Sequence, residues 1–134
     1  MSNNLVKAPE ITKIDDNLNI VSFILEFIEL YINHKKSCNV AKNTLYNING
    51  ALERFLTFIS DEQQFNAKLE LSNINKYFIN NYLNFLDDAG LSKETQKLHL
   101  TIIKNFLVFV ADSDIKNYGF LKLSLDNIKI KTQQ

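Results

Sequence analysis

Apolar residues recur along most of this chain at intervals of three and four, the period of helices that bury one face. Residues 1–16 lack that period, contain Pro9 and are polar, which predicts a flexible arm. A first helix is predicted over residues 17–36, with Asp16 or Asn17 supplying the side-chain oxygen that caps its free N–H groups. Its apolar positions fall into two stripes, Val21, Leu25, Ile28, Ile32 and Ile20, Phe23, Phe27, Leu30. At about 100° per residue this leaves only Ser22, Glu26, Glu29 and Asn33 as a polar strip, so the helix needs cover on two sides.

A second helix is predicted over residues 41–61, burying Leu45, Ile48, Leu52, Phe55, Leu56 and Ile59. The third covers residues 73–89, with Ser72 as its cap, Gly90 as its stop, and Ile74, Phe78, Tyr82, Phe85 and Leu86 inward. The fourth covers residues 93–112, with Ser92 as N-cap, Glu94 suited to the dipole of the first turn, and Leu98, Ile102, Phe106, Phe109 and Val110 as its inner stripe. After Gly119 the pattern becomes an alternation, Leu121-Lys-Leu-Ser-Leu and then Ile128-Lys-Ile-Lys, which predicts extended chain. An isolated strand has no partner in a helical bundle, so residues 116–134 are read as a linker and residues 17–115 as the domain.

Composition agrees with this all-α reading. A chain of 134 residues, 46% hydrophobic, suffices for one core and is too short for two ordinary domains. Three glycines and one proline argue against a turn-rich β architecture. Cys38 is the single cysteine and excludes an internal disulfide; together with the absence of a signal-peptide pattern it points to the reducing cytoplasm. The most apolar stretch, residues 18–32, is broken by Glu26 and Glu29 and is shorter than the roughly 20 residues that span a bilayer. Abundant Asn, Ile and Lys accord with an AT-rich genome and thus a bacterial source.

Fifteen basic residues balance fifteen acidic ones, so net charge announces no partner, but charge is segregated. Lys35, Lys36 and Lys42 fall in an acid-free stretch, and Lys93, Lys97 and Lys104 project within about 40° of one another on the fourth helix. On the second helix Asn43, Asn47, Gly50 and Arg54 form a stripe whose amides and guanidinium suit phosphates or base edges, with Gly50 permitting close approach. A merely solvated face is the commoner meaning of such lysines.

Enzymatic chemistry lacks a constellation. The histidines are His34 and His99, the sole arginine is Arg54, and no spacing among these and Cys38 suggests a metal set, a cofactor or a nucleophile pair. His99 reads as a hydrogen-bonded interface residue, and His34 as a complement to a helix C-terminus. Asp15/Asp16 and Asp87/Asp88 are adjacent and point apart on a helix, which disfavours acid/base partnership.

The second to fourth helices resemble the N-terminal core-binding domain of tyrosine recombinases, the phage integrase and Xer group. The resemblance rests on Lys42-Asn-Thr-Leu followed by Ile48, Leu52 and Phe55, and on Gly90-Leu-Ser-Lys-Glu-Thr95 leading into Leu100-Thr-Ile-Ile-Lys104-Asn-Phe106. Ile48 stands where the family usually has Tyr, Lys104 where Arg is common, and Gly50 where a basic residue is frequent. The resemblance covers about residues 18–131. It implies a four-helix SAM-like bundle that clamps one side of a recombination half-site while a catalytic domain, joined through the linker, clamps the other. The nucleophilic tyrosine and its Arg/Lys/His set would belong to that second domain, so this fragment is not expected to be an enzyme by itself.

By the same resemblance, the DNA contacts are Lys42, Asn43, Thr44 and Asn47 on the second helix and Ser92, Lys93, Thr95, Lys97 and Lys104 on the fourth. Thr44 and Thr95 are equally readable as capping or packing residues. Lys35, Lys36 and Arg54 join the set from charge placement. Expected partners are duplex DNA, the catalytic domain and other recombinase protomers, with the spare apolar side of the first helix facing either a neighbouring protomer or the N-terminal arm or catalytic domain. The alternative is a helical protein interaction module; a stand-alone helical enzyme is disfavoured by the missing catalytic set.

Overall fold

A computed structural model describes residues 19–125 and residue 128. The predicted arm and most of the terminal alternation, including the lysines at 129 and 131, lie outside the described residues. Helix α1 (Ile20–Ser37) begins at Asn19, whose Oδ1 accepts from the Ser22 N–H at 2.9 Å. The cap is therefore Asn19 rather than Asp16 or Asn17, because the helix starts later than the apolar pattern alone implies. Lys35 and Lys36 occupy its last turn together with His34, where positive charge suits the exposed carbonyls. Asn39, at φ 59°, then turns the chain toward the next helix in the left-handed conformation that asparagine tolerates.

Helix α2 (Lys42–Phe65) is longer than expected, running a full turn past Asp61. A 3-10 turn (Leu71–Asn73) follows, closed by Glu70 and Asn73 acting on each other's backbone. Helix α3 (Lys76–Asp88) is capped by Asn75, whose Oδ1 accepts from the Phe78 N–H at 3.1 Å. Ser72 lies inside the 3-10 turn instead of capping α3; Ile74 still buries, as expected, but from the turn rather than from the helix.

Gly90 ends α3 at φ +87°. The Leu91 N–H reaches back to the Leu86 carbonyl at 3.2 Å and the Gly90 N–H to that of Asp87 at 3.0 Å, the double return that satisfies a helix C-terminus. Ser92, two residues after Gly90, caps helix α4 (Lys93–Ser113). Two short helices complete the described fold: α5 (Ile115–Tyr118), capped by Asp114, and α6 (Phe120–Ser124).

Helix α6 replaces the extended chain expected there. In a strand Leu121, Leu123 and Leu125 would share a face; here Leu121 is fully buried and Leu123 is 77% exposed. Tyr118, Leu121, Leu125 and Ile128 follow one another at helical intervals of three and four, and all are buried. Alternation and the i, i+4 helical repeat coincide at Leu121 and Leu125, so the leucines alone could not distinguish them.

α1 packs on α2 and α4, α4 also touches α2 and α3, and α5 and α6 fold back on α4. Phe55, Phe58, Phe78, Tyr82 and Phe85 form an edge-to-face and tilted aromatic cluster between α2 and α3. Tyr31 of α1 meets Phe106 and Phe109 of α4, while Phe23 and Phe27 meet Tyr118 of α5. On α4 Ile102, Phe106 and Val110 are buried as expected, but Leu98 is 43% exposed and Phe109 half-buried, and Gln96, Leu100, Ile103 and Leu107 also face inward. On α1 the stripe of Ile20, Phe23 and Phe27 is covered, but Leu25 and Leu30 remain exposed.

Candidate nucleic-acid interface

The first turn of α2 carries Lys42, Asn43 and Thr44, all exposed, and the helix begins without a side-chain cap at Ala41 or an acid in its first turn. Its leading N–H groups and the positive end of its dipole therefore face outward beside a lysine, an arrangement suited to anions. Half-buried Asn47, open Gly50 and exposed Arg54 continue the same stripe along α2. A Cβ placed on Gly50 would meet nothing within 4 Å, so the backbone there is accessible from outside.

Arg54 connects this stripe to α4. Its charge reaches His99, whose imidazole is held below its ordinary pKa first by burial and then by Arg54. It also reaches Tyr82 of α3, whose hydroxyl is pushed up by burial while Arg54 opposes the rise. The Tyr82 hydroxyl and His99 Nδ1 are buried with no hydrogen-bond partner among the described residues. His99 thus lies at the helix interface as expected, but without the expected hydrogen bond at Nδ1. His34 sits in the last turn of α1 with its ring 5.5 Å from that of Phe109.

The lysine ridge of α4 lies elsewhere on that helix. Residues two apart project about 160° from each other, so Lys97 and His99 occupy opposite flanks, and the Arg54 side of α4 is not the lysine side. Within the ridge, only Lys97 is both exposed and without an ion pair among the described residues. Lys93 Nζ lies 3.2 Å from Asp87 Oδ1, and Lys104 Nζ donates at 2.9 Å to the Ile128 carbonyl. Lys35 lies over the Tyr31 ring at 5.3 Å, and Lys36 is exposed beside the α1–α2 groove.

Ser92 and Thr95 bind each other. The Thr95 N–H donates to Ser92 Oγ at 3.1 Å, and Ser92 Oγ donates to Thr95 Oγ1 at 3.0 Å, so Thr95 takes part in the cap, one of the two roles its sequence position allows. Thr44 is exposed in the first turn of α2. A further residue, not singled out in the sequence, organises this corner: Gln96, 2% exposed, donates from Nε2 to Asp87 Oδ1 at 2.8 Å and to the Leu91 carbonyl at 2.9 Å. The signal for it was a polar residue placed among the inward positions of α4.

The phage integrase SAM-like domain family matches residues 23–112, from the first turn of α1 almost to the end of α4. The chain belongs to that family, and its fold is the all-α SAM-like bundle that the match implies. The matched region is a recombinase-family domain other than the catalytic one. No curated protein and no solved structure matches the chain. No helix among the described residues is long and apolar enough to cross a membrane.

Proposed function

We propose that the chain is the DNA-binding core-binding domain of a cytoplasmic, bacterial site-specific tyrosine recombinase, clamping a recombination half-site together with a catalytic domain of the same parent. The observation that carries this reading is the family match over residues 23–112. The uncapped start of α2 with Lys42, Asn43 and Thr44, continued by Asn47 and Arg54, supports it as a phosphate-facing surface. Ser92, Lys93, Thr95 and Lys97 belong to the set by motif, on the flank of α4 turned away from Arg54, and Lys35 and Lys36 add charge at the end of α1. Lys104 belongs to the set by motif, although its ammonium is engaged with the backbone of Ile128.

The division proposed is a domain over residues 17–115 and a linker toward the catalytic domain over residues 116–134, with Tyr118, Leu121, Leu125 and Ile128 packed into the core. Exposed Leu25 and Leu30 on α1 favour a contact with neighbouring protomers on the assembled site. The test is an anisotropy titration of labelled duplex DNA against a labelled acidic polypeptide. Preference for the duplex, reduced by Arg54→Ala and Lys97→Ala, supports the reading; equal binding to both probes overturns it in favour of a protein interaction module.

A further inference from the structure

The corner between α3 and α4 holds a carboxylate against a lysine of the proposed DNA surface. Lys93 is the first residue of α4, yet its ammonium folds back across Gly90 to Asp87 at 3.2 Å. Asp87 is not left to find its own position. Gln96 is 2% exposed and donates from Nε2 both to Asp87 Oδ1 at 2.8 Å and to the Leu91 carbonyl at 2.9 Å. One amide nitrogen anchored to the backbone therefore sets where the carboxylate stands.

We propose that Asp87, fixed by Gln96, competes with DNA phosphate for Lys93 and so limits the affinity of the domain. The inference rests on the DNA-binding reading above. The Asp87 carboxyl is held below its usual range by hydrogen bonds from Gln96 and then Lys93, and by the Lys93 charge, so it remains an anion at neutral pH. Lys93 and Asp87 retain 37% and 55% of their side-chain exposure, and an ion pair of that kind is weak and exchangeable. Phosphate can displace it, but every binding event must first break it and leave a negative charge facing the backbone of the duplex. Exposed Glu94 adds an acid next to Lys93 in the first turn of α4. A chain of zero formal charge thereby keeps a lysine available for DNA without a permanently attractive surface.

Asp87→Asn is the direct probe, because the amide oxygen still accepts from Gln96 while the charge is removed. Wild type, Asp87→Asn, Lys93→Ala and the double variant are titrated against one labelled duplex, with helical content and melting followed by circular dichroism. The proposal predicts that Asp87→Asn binds roughly two- to fivefold more tightly, the range that one exposed ion pair allows. That gain disappears in the Lys93→Ala background. Binding by Asp87→Asn equal to or weaker than wild type, with helical content and melting unchanged, overturns the proposal. A gain that persists without Lys93 overturns it as well, since the effect is then general charge repulsion. Failure of every variant to bind duplex DNA overturns the DNA-binding reading itself.

Discussion

Lys104 Nζ donates a 2.9 Å hydrogen bond to the main-chain carbonyl of Ile128, 24 residues further along the chain. Ile128 is buried, so the bond ties the end of the described fold to the middle of α4. Replacing Lys104 by Met removes the donor and keeps the aliphatic stem. The expected loss is about 1.5 kcal/mol of unfolding free energy, measured by urea denaturation, at the low end for a charged donor because the site is only part-buried. DNA affinity of Lys104→Met should remain closer to wild type than that of Lys97→Ala.

The helical assignment of residues Phe120–Ser124 makes a contrast between two neighbouring leucines. Leu121→Ala should cost about 2–4 kcal/mol, because the side chain is fully buried and its removal leaves a cavity. Leu123→Ser should change stability by no more than about 0.5 kcal/mol, because Leu123 faces solvent. Equal costs at both positions in urea unfolding would restore the strand reading.

His99 makes stability depend on pH near neutrality. Its folded-state pKa lies below the ordinary 6.5, owing to burial and then Arg54, so the unfolded chain binds the proton more readily. Its contribution is fully present above about pH 6.5 and is lost as pH falls toward the depressed folded value. The carboxyl of Asp87, shifted down from 3.8, keeps its contribution throughout that window. Unfolding free energy should therefore fall between about pH 7.5 and pH 5, and the fall should shrink in His99→Gln. A pH response identical in the variant would assign it to other groups.

Much of the fold was legible because its signals are local. Gly90 and Ser92 stop one helix and start the next within the span of a single turn, and both do so as the sequence implies. The start of α3 was less legible: Ser72 is taken into a 3-10 turn that ends at buried Ile74, and Asn75 caps the helix instead. The site was legible in its members more than in its arrangement. A helical wheel places Lys93, Lys97 and Lys104 together, but it cannot show that Asp87 takes one ammonium and Ile128 another. Nor can it show that His99, which reads as a hydrogen-bonded interface residue, lies on the flank of α4 that feels Arg54.

If α2 and the start of α4 neutralise DNA phosphates, binding must weaken with salt in proportion to the number of phosphates engaged. The decisive measurement is duplex affinity across a salt series, wild type against Lys42→Ala/Arg54→Ala/Lys97→Ala. Each phosphate that the variant no longer neutralises should make the plot of log affinity against log salt shallower by about 0.9, so the triple variant should be visibly flatter than wild type. Parallel plots with equal affinities would contradict the assignment of this surface to DNA.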